Sequence, residues 1–311
     1  MLSRRNIRIK IMQFLYAAGR DESLQLHDLL VRYQSYGKKH MELFLYSLAQ
    51  FVDVAHYAVK DEVNRKAKMM PTPEDRAFKP KLYLNDVLLP FVESKVYRDA
   101  MVKYAIAPKI DEDITRNLYS DFMKTDSAKQ YLAKDTPTQE EHRTILSDLY
   151  RFLAQHEMFN ERMEEIASWI DDKSLIVGTM KKLIKTFPST DSFSIEYLGE
   201  DRLTYQFGDE LLMKTHKKDE EIVSHIKPML ENWDIERVTA IDMVLLKMAI
   251  SEMLYFPTIP TKVTINEYVD ISKTYSTDKS KEFVNGVLDR LMKKLKDSGE
   301  IRKEGRGLVD E

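Results

Sequence analysis

Glycine is scarce and widely spaced along this chain, and that limits what it can fold into. Nine glycines are spread over 311 residues, and the closest pair, Gly305 and Gly307, sits in the C-terminal tail. Prolines number ten. Average usage would put roughly 22 glycines and 16 prolines in a chain of this length. Sandwiches, barrels and βαβ arrays need frequent turn signals or Gly-rich crossovers, which are missing here. Leu, Lys, Glu, Met and Ala abound instead, so the sequence predicts an all-α fold with short connections. The glycine spacing also leaves no GxGxxG or GxxxxGKS/T loop to cradle a phosphate. At 311 residues the chain has room for two domains, or for one domain with a large insertion.

Several kinds of chemistry are excluded at this level. With no cysteine there is no disulfide, thiol nucleophile, cysteine-ligated zinc or iron–sulfur cluster, and the chain suits a reducing cytoplasm. No apolar run approaches the length of a membrane span. The basic, then apolar, start is interrupted by charge and lacks a small-residue cleavage site, so it reads as a helix and not as a signal peptide. Seven histidines are scattered without an HExxH spacing, no GxSxG occurs, and no triad can be nominated. Acidic clusters such as KKDEEIV (217–223) read as solvated helix faces. The expectation is a non-enzymatic binding protein with no metal and no cofactor.

Net charge is −3, which announces no polyanion partner, but the charge is unevenly distributed. The first twenty residues carry Arg4, Arg5, Arg8, Lys10 and Arg20 and no acid. Towards the other end, Arg290, Lys293, Lys294, Lys296, Arg302, Lys303 and Arg306 outnumber Asp297, Glu300 and Glu304. Two basic ends on a near-neutral chain predict a local anion-binding face. In residues 4–19, Ile7, Ile11, Phe14, Leu15 and Ala18 repeat as one helical stripe, with Arg5, Arg8 and Tyr16 along its flank. Guanidinium groups that neutralise phosphates, beside an aromatic that can stack on a base, are equipment for single-stranded RNA. The plainer alternatives are solvated basic ends, a half-buried Tyr16 and a core Phe283.

Further along, the pattern predicts helix over 25–68 with a break near Gly37, and a loop over 68–81. A capping box of Thr136, Pro137 and Gln139 opens the next helix. A short hairpin is possible within 187–205. From about 206 the signal sharpens. Ile241, Val244, Leu245 and Met248 make an amphipathic helix that stops before FPTIP, with Asp242 exposed near its start. Thr264 and Glu267 read as a capping box for the following helix, and STDKS (276–280) supplies the next cap. Val284, Val287, Leu288, Leu291 and Leu295 share one face of the last long helix. Asn285-Gly286 is a hairpin signal by itself, but helical periodicity on both sides makes it mid-helix. A glycine there predicts the close approach of a neighbouring helix.

The stretch WDIERVTAIDMVLLKMAISEML, followed by IPTKVTINEYVDISKTYSTDKSKEFVNGVLDRL, resembles the NusB transcription antitermination factors. That family shows an acidic residue before an ILRLA-type helix, then PxKVAINEAVELAK, then FVNGVLD. Here these are Asp242 before MVLLKMA, Pro260 to Glu267, and Phe283 to Asp289. RRNIRIKIMQFLY is similar to the family's arginine-rich opening, and FGDELL (207–212) to the helix before the C-terminal block. The similarity covers about residues 3–20 and 206–292. It implies a NusB-like helical bundle in two subdomains, with a large helical extension over about 30–200. The chain then divides into an N-terminal helical region, 1–200, and a C-terminal NusB-like part with a basic tail, 201–311.

The resemblance further implies a cytoplasmic factor that binds boxA-type RNA in ribosomal leader transcripts. It would do so with NusE, a small-subunit ribosomal protein, and support processive transcription by RNA polymerase. Carried over residue by residue, Arg4, Arg5 and Arg8 match the RNA-binding opening, and Tyr16 a tyrosine near both RNA and NusE. Asp242 matches an acidic partner-facing position and Phe283 an aromatic near the RNA. Asn6 replaces a frequent arginine. Lys279 stands where an acid is common and would add to RNA binding. Two other readings exist. One is descent from the RNA-binding front end of ribosomal RNA cytosine methyltransferases, whose cofactor domain is lacking here. The other is a helical protein-interaction scaffold that has lost RNA binding.

Overall fold

The computed structural model describes residues 4–21, 23–191, 193, 202–230 and 238–310. Among these residues the regular elements are all helical. They group into two compact units that are not consecutive in sequence: residues 37–200 form one, and residues 2–36 with 201–311 form the other. Of the stretch 187–205, where a hairpin is expected, residues 192 and 194–201 lie outside the described residues; the described ones hold no strand, and 202–205 already belong to the helix Arg202–Lys217.

The first unit holds most of α2 (Leu26–Lys66), then α3 (Pro73–Ala77), α4 (Leu89–Val92), α5 (Lys95–Lys103), α6 (Glu112–Phe122), α7 (Asp126–Leu132), α8 (Gln139–Gln155), α9 (Glu157–Ile166) and α10 (Trp169–Thr186). Five of these helices, α3 and α5 to α8, start at side-chain caps: Thr72, Ser94, Asp111, Thr125 and Thr138 each accept a backbone N–H from the first turn. The unit has its own aromatic-rich core, including Phe44, Phe51, Phe91, Phe122, Tyr150, Phe159 and Trp169.

Three expectations need correction here. The helix over 25–68 does not break at Gly37, because a lone glycine costs only about 1 kcal/mol in a helix and 41 residues share the packing. The stretch 68–81 is not all loop: Thr72 and Asp75 form a reciprocal capping box around Pro73 and start α3. The cap of α8 lies two residues later than expected. Thr138 accepts from the Glu141 N–H and Glu141 accepts from the Thr138 N–H. Lys134, and then these bonds to Thr138, hold the Glu141 carboxyl down at about 2.

The second unit is built from α1 (Arg4–Ala18), α11 (Arg202–Lys217), α12 (Asp219–Ile226), α13 (Ala240–Tyr255), α14 (Thr261–Tyr275) and α15 (Ser280–Asp297). Helix α13 is its axis, contacted by α1, α11, α12, α14 and α15. Its expected amphipathicity is therefore corrected. Met248 to Met253 are all buried, as befits a helix enclosed on every side. Helix α15 buries Val284, Val287, Leu288, Leu291 and Leu295 as expected.

The expectation at Gly286 is overturned. A Cβ there would meet nothing within 4 Å. The close approach is at Gly208 instead, where a Cβ would collide with the hydroxyl and ring of Tyr33 and with Ile7. Helix α14 begins at Thr261 after Pro260, so Thr264 is inside the helix and not its cap. The prolines of FPTIP end α13, and the residue after the second one already starts α14.

Candidate nucleic-acid interface

Helix α1 carries the basic opening, and the second unit determines what each of its cations does. Arg8 is 3% exposed. Its guanidinium makes a two-pronged pair with Glu252 on α13, Nε at 2.8 Å and Nη2 at 2.7 Å. The Thr264 hydroxyl (2.8 Å) and the Tyr268 hydroxyl (3.2 Å) donate to the same carboxylate. Glu252 is fully enclosed, and these four hydrogen bonds satisfy its charge. Burial opposes the charge on Arg8, but the charge and hydrogen bonds of Glu252 outweigh it and raise its pKa above the usual arginine range. Burial, and then Glu252, push the Tyr268 hydroxyl far above its ordinary value.

Arg8 was expected at the RNA surface, and the structure places it in the core. The physical reason is Glu252, an acid within the fully buried stretch Met248 to Met253 of the central helix, which requires a buried cation opposite it. The sequence contains that signal: Glu252 follows Leu245 and Met248 at i+7 and i+4, so it falls on the apolar stripe, where an acid needs a buried partner.

Arg5 is half-exposed and spans α14. It donates to Glu267 Oε2 (2.9 Å) and Oε1 (3.0 Å), and to Asp270 Oδ2 (3.1 Å). Its hydrogen bonds to Glu267 raise its pKa in spite of partial burial. Glu267, expected to be a capping residue, is thus the anchor of Arg5. Arg4 is exposed, with its guanidinium 5.5 Å from the ring centre of Phe207. Among the described residues, no carboxylate pairs with Arg4. An open cleft of about 700 Å³ lies at this end of the helix. Arg4, Arg5, Arg8 and Arg306 line it together with Thr258, Ile259, Pro260, Val263 and Glu267, the acid that Arg5 pairs with.

The remaining expected residues gather at the opposite end. Helices α1 and α13 run antiparallel: Arg8 meets Glu252, whereas Leu15 and Ala18 share a smaller cavity with Val244 and Lys247. Tyr16 therefore lies about 16 Å along the helix from Arg5, at 1.5 Å per residue, towards the start of α13. It is 37% exposed, and the Arg20 guanidinium sits 5.4 Å from its ring centre.

Asp242, expected to be exposed, is 2% exposed. Thr239 caps α13 and accepts from the Asp242 N–H, so Asp242 occupies the third position of the helix and turns inward. There its Oδ2 accepts from the Ser280 hydroxyl at 2.8 Å, tying the start of α13 to the start of α15. Its Oδ1 has no hydrogen-bond partner among the described residues. Lys279 is exposed just before α15, and Phe283 in the first turn is 9% exposed, at the edge of the core. The seven expected residues thus form two groups, arginines at one end and Tyr16, Asp242, Lys279 and Phe283 at the other.

Among its described residues, the second unit is a helical bundle whose first helix presents arginines beside an open cleft. Comparison with known proteins gives that bundle a family. The NusB family model matches residues 177–293. The "Transcription antitermination protein NusB" of Salinibacter ruber is 44% identical over 112 residues, covering 36% of this chain and 70% of that protein. The protein of the same name from Chloroherpeton thalassium is 48% identical over 91 residues, 29% of this chain and 43% of its own length. The one from Natranaerobius thermophilus is 40% identical over 91 residues, 29% of this chain and 66% of its own length. No solved structure matches the chain significantly. The chain belongs to the NusB family. Helix α1 lies outside the range matched by the family model, yet it packs directly on α11 and α13, which lie within it.

Proposed function

We propose that this protein is a non-enzymatic transcription antitermination factor that binds boxA-type single-stranded RNA together with NusE. In this reading the complex supports processive transcription by RNA polymerase. Family membership supports the general role. The observation that carries the RNA-binding part is the open arginine cleft at the start of α1, where Arg4 and half-exposed Arg5 face solvent beside Pro260 and Val263. Arg4 and Arg5 contact phosphates, while Arg8 acts by holding α1 on α13. The Tyr16 end takes the bases and the protein partner, with Lys279 adding a cation there. Asp242 acts on the partner mainly by fixing the corner between α13 and α15.

The test is titration of the full chain with a boxA-type RNA oligonucleotide, with and without NusE, at several salt concentrations. Affinity should fall with salt along a log–log line whose slope changes by about 0.7 for each phosphate contact removed. NusE should tighten binding, and Arg4→Glu should weaken RNA binding with the fold intact. Tyr16→Ala should weaken RNA binding and NusE association together. Undetectable RNA binding alongside retained association with a protein partner would favour the interaction-scaffold reading.

A further inference from the structure

The basic C-terminal segment beyond α15 is not a loose tail. Gly299 at φ +71° ends the helix in the left-handed region, with its N–H on the Lys296 carbonyl and the Glu300 N–H on that of Leu295. The chain then returns to the end of α13. The Lys303 ammonium is buried and donates to the carbonyls of Phe256 (3.0 Å) and Glu252 (3.4 Å), the last turn of α13 and its cap. The Glu304 N–H donates to the Pro257 carbonyl at 3.0 Å. Gly307 lies so close to that carbonyl that a Cβ would collide with it. Three successive attachments therefore fix the backbone on either side of Arg306. The Arg306 side chain is exposed and lines the same cleft as Arg4 and Arg5. Among the described residues, it has no carboxylate partner.

We propose that residues 299–308 form a strap that completes the arginine cleft, and that Arg306 is a phosphate-contacting residue of the RNA site. This rests on the RNA-binding reading of the cleft given above. The strap lies beyond residue 293, where the family match ends, so the resemblance does not supply it. The charge arithmetic favours this role. Arg8 is neutralised by Glu252, and Arg5 is paired with Glu267 and Asp270. Among the described residues, the cleft's guanidinium groups without a carboxylate partner are those of Arg4 and Arg306, one on α1 and one after α15. An open cleft walled by Thr258, Pro260 and Val263 leaves room for a sugar beside the phosphate. Each guanidinium can hold two phosphate oxygens in its planar fork. RNA is favoured over an acidic protein because Arg4 and Arg306 line one open cleft and present two guanidinium groups to successive phosphates of a backbone.

The test compares the full chain with Arg4→Glu, Arg306→Glu and Arg302→Glu, each titrated with the same boxA-type RNA over a salt series. Circular dichroism melts would check that each variant is folded. Arg302 is exposed on the same strap but outside the cleft, so it controls for net charge. Arg306→Glu should weaken binding several-fold and lower the salt slope by at least about 0.7, one single-strand phosphate contact. Arg302→Glu should have a smaller effect and leave the slope nearly unchanged. If Arg4→Glu weakens binding while Arg306→Glu matches the wild type, the strap is not part of the site and the RNA reading survives. If Arg306→Glu and Arg302→Glu weaken binding equally, the effect is one of net charge and the proposal fails. If the wild type does not bind RNA, the functional reading fails and the proposal with it. Equal affinity for poly-glutamate and for RNA would make the cleft a general acidic-surface contact and overturn the assignment.

Discussion

The four cations Arg4, Arg5, Arg8 and Arg306 are chemically alike, but burial and partners give them different roles. Removing one member of a buried, hydrogen-bonded ion pair leaves an uncompensated charge and costs about 3–5 kcal/mol. Arg8→Ala should therefore lower stability by about that amount in a denaturant titration, with Glu252→Ala similar. Arg5→Ala breaks an exposed pair and should cost no more than about 1 kcal/mol. If Arg8→Ala were as mild as Arg5→Ala, the hub around Glu252 would not hold α1. His142 offers a pH-dependent counterpart in the other unit. Its Nδ1 lies 2.7 Å from the Tyr131 hydroxyl, and burial lowers its pKa from the ordinary 6.5. A histidine kept neutral when folded but free to protonate when unfolded adds stability that is complete above 6.5. That contribution is lost as pH falls from there through the lower folded value. On acidification through this window, the melting temperature of wild type should fall further than that of His142→Gln. Parallel curves for the two proteins would exclude the assignment.

Two glycines in helices separate backbone preference from packing. At Gly286 a methyl group enters open space, and alanine favours the helix by about 1 kcal/mol. Gly286→Ala should raise the melting temperature, the opposite of what a close helix–helix contact would give. At Gly208 the same methyl would collide with Tyr33 and Ile7, where α11 faces α1 and the start of α2. Overpacking of this kind costs about 1–3 kcal/mol. Gly208→Ala should therefore destabilise and, by displacing α1, weaken RNA binding as well. Measured together, the two substitutions should move stability in opposite directions. Movement in the same direction would mean that propensity alone sets both.

At the scale of the whole molecule, the family resemblance occupies about a third of the sequence, while the 37–200 unit carries a core of its own. Among the described residues, the core cluster of that unit draws only on residues 41–193. Trp169 is buried in it and reports on it alone once the other tryptophan is replaced, as in Trp233→Phe. In that background Arg8→Ala should lower the helical melt of the unit containing α1 and leave the Trp169 fluorescence transition in place. Equal shifts of both signals would mean that the two cores unfold as one.

Fold class was legible in the sequence because it follows from local physics. Sparse glycine and proline, apolar residues at helical spacing and hydroxyl caps all act within a few residues of one another. The family segments were legible for the same reason, as contiguous strings such as TINEYVDIS and FVNGVLD. Burial of Arg8 and Asp242 was not legible, because both partners are remote in sequence. Glu252 lies 244 residues from Arg8, and Ser280 lies 38 from Asp242. Local pattern places an acid at a helix start in water unless some distant element covers it, and here α15 does. The two basic ends could be counted from the sequence. That Arg4 and Arg5 from one end and Arg306 from the other line a single cleft depends on where α1 and the strap from α15 dock at the end of α13, and that is settled by tertiary packing, because contact between residues so far apart in sequence carries no local signature.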